Sequence, residues 1–381
     1  MNFFFHAWRE VFRFFGDSTQ KYQIVIYSEG GGYDPFFRPV VDALQGTYDG
    51  IIGYLTSDAA DPLLLSPPSH LQSFFVGKDS ARTYALNNLR AEIVVMTMPD
   101  LNTFHIKRSR HVKHYAYIHH TPLSMHTIYR KGAFDHFDSI FCTGPHHMEE
   151  TREWEDLHSL PPKQLFEHGY PPLDTLMQVA KDAPPLSTDK DERLNILLAP
   201  SWGAEGLMET RAEEAVGVLL DAGHFVRVRP HPRSRQLAGP ALDALKVKFD
   251  PHPSFDMDED TSKFEALLKS HMMISDWSGV AMEFAYGLER PVLFIDVPQR
   301  VNNPDYRDLD ASPFESKLRE EAGAVLSPEK LSEMPLMLAD LWSDVESFGQ
   351  RVRKLRTKRT YNIGTSAKRG AEILSKLAAS I

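Results

Sequence analysis

Cysteine is nearly absent: the chain of 381 residues has one, Cys142. A lone cysteine rules out an intramolecular disulfide and a cysteine-built zinc cage, and suits a chain kept in the cytosol or facing it. No run of eighteen or more apolar residues occurs, so no segment reads as a membrane span. Basic charge is also in deficit, with 42 Lys and Arg against 52 Asp and Glu and a formal net charge of −10. That balance excludes a general nucleic-acid binder, which needs clustered cations, while leaving room for a local basic pocket. Several catalytic signatures are missing as well. "EGGG", Glu29 to Gly32, matches neither a dinucleotide fingerprint nor a P-loop and reads as a turn. His146-His147-Met148-Glu149-Glu150 lacks the paired histidines of a helical zinc protease and reads as a solvated helix start. No Gly-x-Ser-x-Gly nucleophile elbow is present.

What remains is the composition of a soluble globular protein, 42% hydrophobic and 25% charged, too long for one core. The start, "MNFFFHAWREVFRFFGD", repeats Phe4, Trp8, Val11, Phe12 and Phe15 at helical spacing, with Arg9 and Arg13 elsewhere on the helix. It lacks a signal peptide's charged start and long apolar centre. Residues 1–20 are therefore expected to form a helix that lies on a membrane surface or packs on protein.

Beyond it, short apolar runs alternate with helical patterns. "YQIVIYS", "GIIGYLT", "SFFVG", "AEIVVMTM", "HVKHYAYIHH" and "SIFCTG" are strand candidates over residues 21–180. The polar stretch 181–194 reads as a linker. "NILLAPS", "HFVRVRPHP", "HMMIS" and "RPVLFID" repeat the pattern over 195–345, and 346–381 read as terminal helices. Runs of this length separated by helices predict parallel sheets covered on both faces. The expected fold is α/β, with two Rossmann-like domains facing a cleft, as in the GT-B architecture. Ligands in such sheets sit at the carboxyl ends of strands.

The unusual residues collect at those ends. After "AYI" come His119-His120-Thr121-Pro122-Leu123, where Pro122 turns the chain and a histidine could take a proton from a hydroxyl. After "NILLA" come Pro200-Ser201-Trp202, with an indole that could pack on a ligand. After "FVRV", Arg229 and His231 are held by Pro230 and Pro232 in a pattern that suits phosphate. After "HMMIS", Asp276-Trp277-Ser278-Gly279 open a helix whose first N–H groups favour an anion. An N-cap role for Asp276 or Ser278 explains the same residue types. The acidic run Asp256 to Asp260 reads as a surface loop.

Taken in order, these segments resemble the CDP-glycerol glycerophosphotransferase family, the teichoic-acid primases and polymerases, over roughly residues 90 to 300. The family's His-Gly-Thr-Pro-Leu is matched by His119 to Leu123, with His120 in place of glycine. Its Gly-x-Pro-x-x-Asp is matched by Gly169 to Asp174, and its Ala-Pro-Thr-Trp by Ala199 to Trp202. An arginine-bearing strand ending in His-Pro matches at His231-Pro232. Ser275 to Val280 and Met282 to Ala285 match Thr-Asp-Tyr-Ser-Ser-Val and Phe-Asp-Phe-Ala, with Gly279 for the second serine.

The resemblance implies a transferase that binds CDP-glycerol in its carboxyl-terminal domain and passes glycerol phosphate, or a related polyol phosphate, to a hydroxyl of a glycan or lipid-linked acceptor, releasing CMP. It implies His119 as general base, and Arg229, His231, Ser278 and the N–H groups of Gly279 and Val280 as the diphosphate's partners. Thr121, Ser201 and Trp202 line the substrates, and Glu283 meets the ribose or acts as a structural partner. No cofactor is required, and a divalent metal is left open. The alternatives of the same architecture are a nucleotide-sugar glycosyltransferase, a UDP-sugar 2-epimerase, and a non-catalytic nucleotide- or glycan-binding module.

Overall fold

A computed structural model describes residues 3–16, 22–187, 193–258, 260 and 264–381. The chain divides into two compact units. The first comprises 1–172, 302–311 and 360–381, and the second 173–301 and 312–359.

The first unit is built on a seven-stranded sheet in the order β3-β2-β1-β4-β5-β6-β7. Its strands are β1 Ile24–Ser28, β2 Ile52–Thr56, β3 Leu71–Phe75, β4 Arg90–Met96, β5 His111–Ile118, β6 Ser139–Cys142 and β7 Gln164–Glu167. Every pairing is parallel. The central strands are mostly apolar because both faces are covered. In β1, Val25 and Tyr27 enter one core with the helices Phe3–Gly16 and Ser80–Asn87, while Ile24 and Ile26 enter another with Asp34–Leu44 and Ser366–Ser380. That alternation is the period-2 direction of a strand.

The second unit carries a six-stranded parallel sheet in the order β10-β9-β8-β11-β12-β13. Its strands are β8 Asn195–Leu198, β9 Phe225–Val228, β10 Phe255–Met257, β11 Met272–Ser275, β12 Val292–Ile295 and β13 Gly323–Leu326. Strand order reverses direction beside β1 in the first unit and beside β8 in the second, and ligand crevices of open α/β sheets form at such points.

The N-terminal helix packs on the first unit through part of the stripe its aromatic spacing suggests, with Trp8 and Phe15 partly buried against the core. Ala7, Val11 and Phe14 are buried, with Phe14 stacked on Tyr22 at 5.3 Å. Glu10 is carried inward with them and is held by Arg13 at 2.6 Å. Phe4 and Phe12, expected on the apolar face, are exposed together with Phe3 and Phe5. The linker expected at 181–194 begins inside the helix Pro171–Asp182, and 188–192 of it lie outside the described residues. Asp256, expected in a surface loop, instead lies in β10. Among the described residues no helix is long and apolar enough to cross a membrane.

Candidate functional site

In the second unit the loops after β8, β9 and β11 meet at the carboxyl end of the sheet. Ser275 ends β11 and donates from Oγ to the Ala199 carbonyl at 2.9 Å, tying β11 to the end of β8. Asp276 is fully buried. One of its carboxylate oxygens accepts the N–H groups of Ser201 and Trp277, both at 2.6 Å, and the other accepts from Leu207 at 3.4 Å. Burial pushes this carboxyl up, and the hydrogen bonds from Ser201, Trp277 and Leu207 oppose the rise. Asp276 therefore organises the loop that carries Ser201 and Trp202.

Ser278 occupies the N-cap position of the helix Gly279–Leu288 with extended backbone, yet its hydroxyl bonds to no helix N–H. Capping thus does not occupy it. Behind it the N–H groups of Gly279 and Val280 open the helix, and Glu283 follows about one turn in, half-buried. Unmatched N–H groups and the positive end of the helix dipole together favour an anion at this point.

Trp202 sits among cations. The Arg300 guanidinium lies 3.6 Å from the centre of its indole and that of Arg233 4.2 Å, while the His231 ring is 6.2 Å away. His231 caps the helix Pro232–Leu237, and its Nδ1 accepts the Arg233 N–H at 3.1 Å. The ring proton therefore resides on Nε2, and burial, with Arg300 and Arg233, pushes the group down to about 4. A neutral Nε2–H donor beside two guanidinium groups suits the oxygens of a diphosphate. Arg229 is placed differently: it is buried and its Nε donates to Asp258 at 2.6 Å, so part of its charge is already matched.

His119, in the first unit, follows β5 and is fully buried, with both ring nitrogens covered from solvent and bonded to no protein atom. Burial, followed by His147 and His120, holds it well below the usual imidazole range. Its ring stacks on that of His147 at 3.8 Å. His120, beside it, sits 3.2 Å through Nδ1 from the Thr97 carbonyl and 3.3 Å through Nε2 from the Tyr129 hydroxyl. The Thr121 hydroxyl accepts from the Leu123 N–H at 3.3 Å, tightening the turn.

In the cluster expected to be a solvated helix start, His147 and Glu150 are instead buried and His146 is half-buried, because they hold this loop. In the helix Pro145–His158, His146 Nε2 reaches the Pro122 carbonyl and His147 Nε2 the Leu123 carbonyl, each at 2.8 Å. Glu150 accepts the Met125 N–H at 2.7 Å and faces His126 at 2.9 Å. Three backbone groups of the His119 loop are thus fixed by side chains of one helix. Despite their number these histidines do not converge, and among the described residues no group of three ligating side chains could hold a metal ion. Sequence reasoning missed this network and Arg300. The two adjacent histidines were the available signal for the first, and nothing in the loop after β12 marked the second.

Two parallel α/β units of this kind have the fold of the GT-B transferases, a likeness seen in solved structures. The wall teichoic acid polymerase TagF, in a CDPG soak, superposes with a TM-score of 0.62 at 14% identity, over 98% of this chain and 93% of that one. UDP-GlcNAc 2-epimerase from Neisseria meningitidis gives 0.60 at 14% identity over 94% and 100%. A glycosyltransferase from Rickettsia africae gives 0.56 at 10% identity over 95% and 100%. No curated sequence matches the chain. The chain belongs to the CDP-glycerol:poly(glycerophosphate) glycerophosphotransferase family, whose model matches residues 76–309. It is a transferase enzyme of the CDP-glycerol-dependent kind.

Proposed function

We propose that the enzyme moves glycerol phosphate, or a related polyol phosphate, from its CDP-linked donor to a hydroxyl of a cell-surface glycan or its lipid-linked precursor. The observation that carries the donor half is the grouping of Trp202, His231, Arg233 and Arg300 in the unit that also offers Ser278 and the helix start at Gly279. Phosphoryl transfer needs a positioned, neutralised diphosphate more than covalent help. In this reading Arg233, Arg300 and His231 Nε2–H meet the diphosphate oxygens, as do Ser278 and the N–H groups of Gly279 and Val280. Arg229 adds positive charge to the site, Trp202 and Ser201 line the donor, and Glu283 meets the ribose.

The acceptor oxygen attacks the β-phosphorus. The bond from that phosphorus to the bridging oxygen breaks, and CMP leaves with the oxygen and the electron pair. The acceptor proton passes to a ring nitrogen of His119, which is neutral at pH 7 and, lowered by burial, a weaker base than a free imidazole. Thr121 shapes the turn that presents it. Because the His119 nitrogens are covered, an acceptor reaches them only when that cover parts. Exposed phenylalanines on the N-terminal helix support contact with the membrane surface where lipid-linked acceptors reside.

The test is a panel of CDP-, UDP- and GDP-linked donors followed by phosphorus NMR. CMP should be released from CDP-glycerol, and the rate should fall by about 100-fold or more in His119→Ala. Release of UMP or UDP from a sugar donor, with CDP-glycerol left intact, overturns the reading.

A further inference from the structure

The chain leaves the second unit after Val301, runs within the first as residues 302–311, and returns at Ser312. Its contacts there fall on the loop that starts at His119. The Asn302 N–H donates to the Thr127 carbonyl at 2.9 Å, and its side-chain Nδ2 donates to the Ile128 carbonyl at 2.7 Å. The Asn303 N–H reaches the same Thr127 carbonyl at 3.4 Å. Further along, Asp305 pairs with Lys131 at 2.5 Å, and the Ala311 N–H donates to Glu153 at 2.9 Å.

Thr127 and Ile128 end a single helical turn, Met125–Ile128. So short a helix cannot bond its last carbonyls internally, and they need donors from outside. Side chains of the helix Pro145–His158 hold the front of the loop, at Pro122, Leu123 and Met125. Asn302 and Asn303 hold its rear.

The rear grip has little play. Asn303 is buried and its side chain accepts the Asp305 N–H at 3.2 Å, while Pro304 fixes the first turn of the 3-10 helix Pro304–Asp308. Upstream, only Val301 separates Asn302 from Arg300, whose guanidinium lies 3.6 Å from the centre of the Trp202 indole. Two residues span at most about 7 Å, so the chain between that cation and the grip on Thr127 carries little slack.

We propose that Asn302 is a positioning residue: it fastens the His119 loop to the chain segment that carries Arg300, so that a donor held by Arg300 steadies the loop that presents the base. Asn302 acts through the loop and takes no proton. Holding Arg300 on a diphosphate restricts the chain on either side of it, and Asn302, two residues on, is then less free to release Thr127 and Ile128. By linkage, an ordered loop favours donor binding to the same degree. The donor's place at Arg300 rests on the transfer reading; the grip on the loop does not.

Asn302→Asp tests this in the full chain. It keeps the side chain's size, replaces the Nδ2–H donor by an oxygen facing the Ile128 carbonyl, and lies at an exposed position. Hydrogen–deuterium exchange over residues 119–130 reads the loop, with and without CDP-glycerol. In wild type the donor should slow that exchange by about fivefold. In Asn302→Asp exchange should be about tenfold faster without donor, and the donor should no longer slow it. The kcat for CMP release should fall by about tenfold with Tm in place, while the Kd for CDP-glycerol by calorimetry weakens by no more than about fivefold. Asn302→Ala, which removes the donor without adding repulsion, should shift each readout the same way by less. Equal donor-free exchange in wild type and Asn302→Asp overturns the proposal, and that comparison holds whether or not CDP-glycerol binds. If CDP-glycerol slows exchange in wild type but not in Asn302→Asp while no CMP is released, the positioning role stands and the transfer reading falls. If CMP is released at the same kcat by both proteins, the reverse holds.

Discussion

Acid should unfold the first unit well before its carboxylates titrate, because the fold buries several neutral histidines. Burial pushes His120 down to about 4, and His168, buried near Arg369, down to about 3. His119 and His147 shift in the same direction, mainly through burial. Histidines in the unfolded chain titrate near 6.5. Between 6.5 and the folded value the unfolded chain binds more protons, so stability is intact above about pH 6.5 and is lost as pH falls toward 4. At pH 5 each such group favours unfolding by about 1.5 pH units at about 1.4 kcal/mol per unit, roughly 2 kcal/mol. His120 and His168 together then remove about 4 kcal/mol, a large share of a typical domain's stability. Urea midpoints at pH 8, 7, 6 and 5, followed by circular dichroism, measure this. The informative variant is His168→Leu, whose site lies against Phe141 and Gly370 and outside the proposed chemistry. Its loss of stability from pH 8 to pH 5 should be smaller than wild type's by about 2 kcal/mol. A wild-type midpoint that stays constant from pH 8 to pH 5, or a slope unchanged by His168→Leu, refutes the reasoning.

Further outcomes follow from the other unit and from the N-terminal helix. Arg300→Ala should weaken CDP-glycerol binding by about tenfold or more while leaving the melting temperature in place; an unchanged Kd by calorimetry removes Arg300 from the donor site. Asp276→Ala should cost about 2–4 kcal/mol in chemical unfolding, since buried N–H groups of Ser201 and Trp277 lose their acceptor. Asp276→Asn should cost less, because one oxygen serves both of those groups. Replacing exposed Phe4, Phe5 and Phe12 together by serine should preserve the fold and reduce sedimentation with anionic vesicles. Sedimentation equal to wild type would mean that the helix serves packing alone.

The strands that place the loops were legible because they are short apolar runs buried on both faces, and a run such as Met272 to Ser275 has few other uses. The loops were legible because proline, glycine and small hydroxyls gather after those strands. Contacts distant in sequence were not. His146, His147 and Glu150 read as a solvated helix start, since their hydrogen-bond partners lie 24 or 25 residues upstream on a loop that no periodicity brings near. Arg229 read as a phosphate ligand without an acidic partner because Asp258 follows a three-residue strand within an acidic run that resembled a loop. For Ser278 the sequence allowed both a cap and an anion contact; the structure shows a cap position whose hydroxyl bonds no helix N–H, and the anion contact stays the proposal above.

The last helix, Ser366–Ser380, has a consequence for how the protein is made. Its Ala371, Ile373 and Leu374 complete the core that Phe37, Val40 and Val41 begin more than 300 residues earlier. During synthesis the first unit therefore keeps that apolar face open until residues 366–380 are available to cover it. A chain that ends before residue 366 is expected to leave that face exposed and prone to aggregation.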